Sequence, residues 1–260
     1  MFRVLSVLFA LLVMNSGARA SRAGVSLRVL SVLLALLVWL AAALDGRAQR
    51  RHPSLLRGNE AVVIDERLAA LRAEPSLAAT LVRRLGRGRV VQLLGPRRMA
   101  EGVLFERVAV TRRTRGWVQR DALASPFRAG DDQRLFNLIR ASRGFDRIAR
   151  AQLFLRHFAR SPHRPAVLFL LAEAAERAAE DLSRDALGRL NPAEMAATSA
   201  PAHSYFMNYV GLDRYNRQGV RFVWDARERR FRYDGAGWRE LVRRYPHTPE
   251  AEQARRHLAR

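Results

Sequence analysis

The sequence predicts a mixed α+β, multidomain chain: a small β-barrel, then an irregular helical-hairpin domain carrying one β-hairpin. Three observations carry this reading. Between residues 60 and 124, short β-branched or alternating runs recur at intervals of about ten residues, separated by Gly- and Pro-containing turns. From residue 132 onward the apolar residues switch to helical spacing. Between Val220 and Tyr233 the period returns to two.

The chain has 260 residues, enough for one or two domains with an ordinary core. Its formal charge is +22, and all 46 basic residues are arginine. Codon bias in a GC-rich genome gives this composition without any functional demand. An arginine surface also attracts polyanions such as nucleic acid, anionic lipid or acidic wall polymer. The arginines are scattered through every segment, which argues against nucleic acid as the partner. The absence of cysteine excludes disulfides, thiolate metal sites, a cysteine nucleophile and a lipid-attachment cysteine.

Residues 1–48 read as secretory signal. Arg3–Val13 and Arg28–Val38 are copies differing only at Phe9 and Leu34. Each is an arginine, an apolar run and then small residues, the order of a signal peptide. Ala18-Arg19-Ala20 and Gly46-Arg47-Ala48 are the corresponding cleavage sites. Either a signal was duplicated or Val25 is the true start. The second apolar run, Val29–Leu44, is short for a span of roughly 20 residues. Cleavage near Ala48 would release a periplasmic or extracellular protein. An uncleaved segment would instead anchor it to the membrane. Removing residues 1–48 takes away five arginines and one aspartate, so the remainder still carries +18. Residues 49–59 read as a linker.

In the β region the expected strands are Ala61–Ile64, Ala70–Arg72, Thr80–Leu85, Val90–Leu94, Leu104–Val110 and Gly116–Val118. Glu74-Pro75-Ser76 and Gly86-Arg87-Gly88 are turns, and Gly95-Pro96 closes the fourth strand. Five or so such strands make a small barrel or sandwich.

Four pieces of this segment resemble the bacterial SH3-like (SH3b) domain. They are Ala70–Ser76, Leu85–Val90, Phe105–Val108, and Gly116-Trp117-Val118 with Asp121-Ala122-Leu123, in the family's order. Two positions depart from the family: Ala70 stands near its usual asparagine, and Phe105 replaces its first tryptophan. The resemblance implies a surface groove for a peptide or cell-wall ligand, with Trp117 as anchor. Phe105, Arg72, Glu74 and Arg107 are the accompanying candidate contacts. The alternative for Trp117 is core packing across the barrel end. For the charged residues it is a solvated face.

Residues 125–131 read as a second linker. Asp131 or Asp132 is a cap for a helix carrying Leu135, Leu138 and Ile139. Gly144 interrupts it, and a second helix runs Phe145–Arg160 until Ser161-Pro162 breaks it. A third spans Pro165–Arg189. Leu155–Pro162 resembles Val242–Pro249: each places an aromatic three residues before Ser/Thr-Pro. Both resemble the turn of tetratricopeptide-type repeats, which implies a helical surface for a protein partner. The spacing is no regular array. Residues 191–202 read as a mobile connection, His203–Val210 as a short helix, and Val220–Tyr233 as a hairpin whose aromatic face covers the helices. Trp238–Tyr245 and Pro249–Leu258 are the last helix pair.

No catalytic motif is visible. The six histidines show no metal-ligand spacing, with His247 and His257 expected in solvent. There is no phosphate loop and no Gly-x-Ser-x-Gly elbow. Wall peptidases with SH3-like modules often use cysteine, which this chain lacks. The expectation is an exported, non-enzymatic adaptor without cofactor or metal, binding an envelope protein or a peptidoglycan or peptide ligand. The alternatives are an assembly scaffold whose helices alone bind, and an enzyme of unrecognised type.

Overall fold

Strand β1, Glu60–Val63, is apolar on both faces, and the fold uses both. Ala61 and Val63 enter a β core with Leu71, Leu85, Val91, Val108 and Val118. Val62, and Ile64 just beyond the strand, enter a larger core made mainly by helices. A β-branched run buried on both faces is what sits between two layers.

The computed structural model describes residues 56–198 and 200–259. The signal segment and residues 49–55 of the first linker lie outside them. The other strands of the main sheet are β2 (Ala70–Arg72), β3 (Leu81–Arg84), β4 (Val90–Ala100), β5 (Val103–Ala109), β6 (Arg115–Gln119) and β7 (Leu123–Ala124). All pair antiparallel, in the order β3-β2-β6-β5-β4-β1-β7. The sheet is therefore open, with edges at β3 and β7, rather than the small barrel that the short, evenly spaced strands predict. The β3 edge is exposed throughout and carries Arg83 and Arg84, charges that discourage further strand pairing.

Gly95-Pro96 does not end β4. Gly95 takes φ +95°, and the β4–β5 register shifts between Leu93 and Arg97. A bulge at this point absorbs the proline and lets the hairpin run on to a turn at Glu101-Gly102. Strand β7 was not anticipated. It is two residues long and exists through pairing with β1, some sixty residues away in sequence.

The helices are α1 (Asp131–Ala141), α2 (Gly144–His157), α3 (Arg164–Arg189), α4 (Pro192–Ala196), α5 (Ala202–Met207), α6 (Asp213–Asn216), α7 (Ala236–Arg244) and α8 (Pro249–Leu258). Gly144, at φ +52°, opens α2 rather than merely interrupting it. The 191–202 segment, expected to be mobile, holds the short helix α4. The Asn191 side chain caps it by accepting from the Ala193 N–H at 2.9 Å. Thr248 caps α8 in the same way through Ala251. The hairpin β8 (Phe222–Asp225) and β9 (Arg230–Tyr233) lies on α3. Phe222 and Phe231 are buried in the larger core, and the Phe231 N–H donates to Ser183 Oγ at 2.8 Å. His257, expected in solvent, stacks on Trp238 at 4.4 Å, with Nδ1 3.1 Å from a Glu176 carboxylate oxygen.

Sheet and helices form one compact unit over the described residues. The 125–131 segment, expected as a linker, is pinned at both ends. Ser125 is buried and its hydroxyl donates to the Glu60 carbonyl at 2.7 Å. Asp131 does not cap α1 with its side chain, because Gly130 is the N-cap residue. The Asp131 carboxylate turns back to accept from the Ser125 N–H at 2.8 Å and from Arg120 Nη2 at 2.5 Å. Nearby Glu106, with a side chain 2% exposed, faces Arg97, Arg120 and Arg128 at 3.1, 3.6 and 2.7 Å. A second joint lies between Asp65 and Arg150, both almost fully buried and 3.6 Å apart. Arg150 also donates to the Ile64 carbonyl and to Ser142 Oγ. Buried charge is tolerated only when paired in this manner. No helix among the described residues is long and apolar enough to cross a membrane.

Candidate binding face

Alternation along β6 sends Gly116 and Val118 inward and Trp117 outward. Val118 is fully buried in the β core, while Trp117 is half-buried on the opposite face. Core packing in that cluster therefore does not account for Trp117. Trp117 lies directly across from Arg72 of β2 on one side and from Arg107 of β5 on the other. Directly paired residues in an antiparallel sheet share a face. The sheet thus assembles a row, Arg72–Trp117–Arg107, from residues spread between positions 72 and 117 of the sequence.

Gly116 makes the row possible. A Cβ built on it would sit 2.5 Å from the Arg72 carbonyl oxygen and 3.0 Å from the Leu71 side chain. Only glycine lets β2 come this close to β6.

Arg72 is also fixed from behind. Its Nη1 donates to the Ala79 carbonyl at 2.6 Å, closing the loop from Ala73 to Thr80, whose ends pair through the Ala73 N–H and the Thr80 carbonyl. Its Nε is buried with no hydrogen-bond partner among the described residues. Glu74 is exposed in that loop, outside the cross-strand row. The loop reaches the β4–β5 turn through Ser76 Oγ, which donates to Glu101 at 2.6 Å.

Phe105 does not join the site. It is fully buried and offers no face to a ligand. Strands β4 and β6 flank it, opposite Arg98 and Gln119, and both Phe105 and Glu106 are covered at this point of β5. A substitution of tryptophan by phenylalanine retains the apolar body and gives up the polar handle, which suits a buried position.

Two residues that the sequence reading did not single out belong with the row. Arg115 pairs with Ala109, and Arg98 pairs with Phe105, so both share the face of Trp117 and both are exposed. Their parity with Trp117 and Arg107 along the strands was the available signal. None of Arg72, Arg98, Arg107 and Arg115 has a carboxylate within 4.0 Å among the described residues, whereas the buried arginines of the inter-element joints do. Beside Arg115 the face dips into an open hollow of about 480 Å³, bordered by Glu60, Gln92, Ala109, Thr111 and Arg112.

The face can stack a planar or apolar group on Trp117 and meet anionic groups with the surrounding guanidinium ions. No group of three or more His, Asp or Glu able to hold a metal occurs among the described residues. Comparison of the chain with protein-family models, with curated proteins and with solved structures finds no match.

Proposed function

We propose that this chain is an exported, non-enzymatic binding protein whose β region holds an anionic cell-wall ligand, such as a peptidoglycan stem peptide, on the face around Trp117. The cross-strand row Arg72–Trp117–Arg107 carries the reading. An aromatic side chain with cations lacking carboxylate partners on either side offers both stacking and charge to a ligand. The resemblance of pieces in β2, the β3–β4 turn, β5 and β6 to SH3-like domains favours the same ligand class. Export rests on the paired signal-like segments within residues 1–48. The helical region, with its two Ser/Thr-Pro turns, is the partner-docking half of an adaptor.

The test is co-sedimentation of the full chain with purified peptidoglycan at physiological salt. Retention should survive that salt and fall about tenfold or more in Trp117→Ala, the scale of an interface hot spot. Circular dichroism should show the variant folded. Retention that disappears with modest salt and ignores Trp117 would reduce the interaction to diffuse arginine electrostatics, which are screened over about 8–10 Å. A scaffold in which only the helices bind would leave wall retention untouched by both Trp117→Ala and Arg107→Ala.

A further inference from the structure

The row across β2, β6 and β5 sets a spacing as well as a charge. Neighbouring strands lie about 4.8 Å apart. Arg72 and Arg107 flank Trp117 from its two sides, so their backbones stand roughly 10 Å apart with the indole between them. The two cations differ in kind. Arg72 is half-buried and held by the Ala79 carbonyl at 2.6 Å, so its guanidinium is ordered before any ligand arrives. Its Nη2 makes no hydrogen bond among the described residues and is left for a ligand. Arg107 is exposed and unpinned, free to adjust.

No acid lies in the row. Glu106, the residue before Arg107, is buried and shared among Arg97, Arg120 and Arg128. Glu101 accepts from Ser76, and Glu74 sits in the loop beyond Arg72. Glu60 shares the face through the register Glu60–Gln92–Ala109–Arg115, but on β1, and it accepts from the Arg57 N–H at 2.8 Å. Three strand spacings, roughly 14 Å, separate it from Arg115, which is beyond the screening length of exposed charges.

The middle of the row selects against charge. The face of an indole is the negative side of its quadrupole, so it favours an uncharged group above it and disfavours an anion. A polymer carrying an anion on every unit would set one over the ring. A ligand with a carboxylate, an aliphatic stretch and a second carboxylate meets all three side chains.

We infer that the row reads two carboxylates held apart by an uncharged aliphatic stretch, and that its ligand is a wall stem peptide in which γ-linked glutamate is followed by diaminopimelate rather than lysine. The inference rests on the wall-ligand reading above and adds the chemical type of the stem. The γ-linkage leaves the glutamate α-carboxylate free. Diaminopimelate ends its aliphatic side chain in a second free carboxylate, where lysine ends in an ammonium alone. The chain between the two carboxylates is about as long as three ordinary residues, roughly 10 Å when extended. A lysine stem would leave one guanidinium without a partner and bring a like charge beside it.

The probe is a tripeptide of alanine, γ-linked D-glutamate and diaminopimelate, acetylated at its start and amidated at its end so that these two carboxylates are its only ones. Affinity for the full chain is read from the Trp117 indole N–H in nitrogen-15 spectra. Replacing diaminopimelate by lysine, or the glutamate by isoglutamine, should each weaken binding about fivefold, the scale of a well-placed exposed ion pair. In Arg107→Ala, one of those two ratios should fall to about one while the other stays, because Arg107 answers for one carboxylate. Arg107 is exposed, so this variant keeps the fold. A capped alanine–γ-carboxyglutamate–alanine peptide is more negative but has both carboxylates on one carbon, and it should bind more weakly than the probe. Equal or tighter binding by that peptide, ratios near one in the parent, or any other response to Arg107→Ala would overturn the inference. Wall retention that still depends on Trp117 would then leave the wall-ligand reading standing alone. Loss of both retention and peptide binding would remove the reading and the inference together.

Discussion

Gly116→Ala tests the geometry of the Trp117 face most directly. Its new methyl would lie 2.5 Å from the Arg72 carbonyl oxygen, where a relaxed carbon–oxygen contact is about 3.3 Å. Strand β2 must retreat by roughly 0.8 Å, or β6 must bend away. Overpacking of this kind costs about 1–3 kcal/mol. Alanine returns about 0.4–1 kcal/mol by restricting the unfolded chain, because Gly116 is not in the left-handed region. The net expectation is a loss of about 1–2 kcal/mol. For a folded region of this size, that lowers Tm by about 2–8 °C. The displaced carbonyl belongs to Arg72 itself, so wall retention should fall together with Tm. Thermal unfolding followed by circular dichroism reads the first effect and co-sedimentation the second. Gly86→Ala is the control: nothing lies within 4 Å of its added methyl and its φ is ordinary, so it should be neutral or slightly stabilising. A Gly116→Ala protein as stable as the parent would show that β2 does not approach β6 this closely, and the Arg72–Trp117 pairing would go with it.

Two further outcomes follow from the buried charges. Glu106→Gln removes the carboxylate shared by Arg97, Arg120 and Arg128. Breaking a buried pair costs about 3–5 kcal/mol, but the arginines keep some solvent, so urea unfolding should show a loss of about 2–3 kcal/mol. In a double-mutant cycle with Arg128→Met, a coupling below about 0.5 kcal/mol would count against the pairing. His157 ties stability to acid. Folded, its ring stays neutral down to about 4, whereas in the unfolded chain it takes a proton near 6.5. Between these values the unfolded state binds more protons, so stability is full above pH 6.5 and is lost as pH falls towards 4, by roughly 3 kcal/mol. His157→Leu should flatten that part of the stability–pH curve, and an unchanged slope would refute the assignment.

The local features of the fold were largely legible. Alternation in Leu104–Val110 and the turn at Gly86–Gly88 located β3, β4 and β5 within a residue or two, apart from the far end of β4. Proline breaks and helical spacing located α2, α3 and α8. What escaped depended on partners distant in sequence. β7 exists because β1 is there to receive it. Gly95-Pro96 reads as a stop in isolation, yet it becomes a bulge once β5 holds both of its flanks. Asp131 reads as a cap until Ser125 and Arg120 compete for its carboxylate. The site followed the same pattern. Trp117, Arg72 and Arg107 were recognisable as residue types, and strand pairing brought them into one row. Phe105 could not be told from an exposed aromatic, because its burial comes from strands on both sides.

The two-faced character of β1 bears on how such a chain can be inherited. A cassette that travels between proteins must present a finished exterior wherever it lands. Residues 60–124 do not: Val62, Ile64 and Ala124 would arrive with raw apolar surface meant for Leu135, Ile139 and Ile148. Transplanted alone, the segment would be sticky and would need a substitute for α1 and α2. The sheet and its helices should thus be lost, duplicated or exchanged together, and substitutions on the helix-facing side of β1 should track those on α1 and α2.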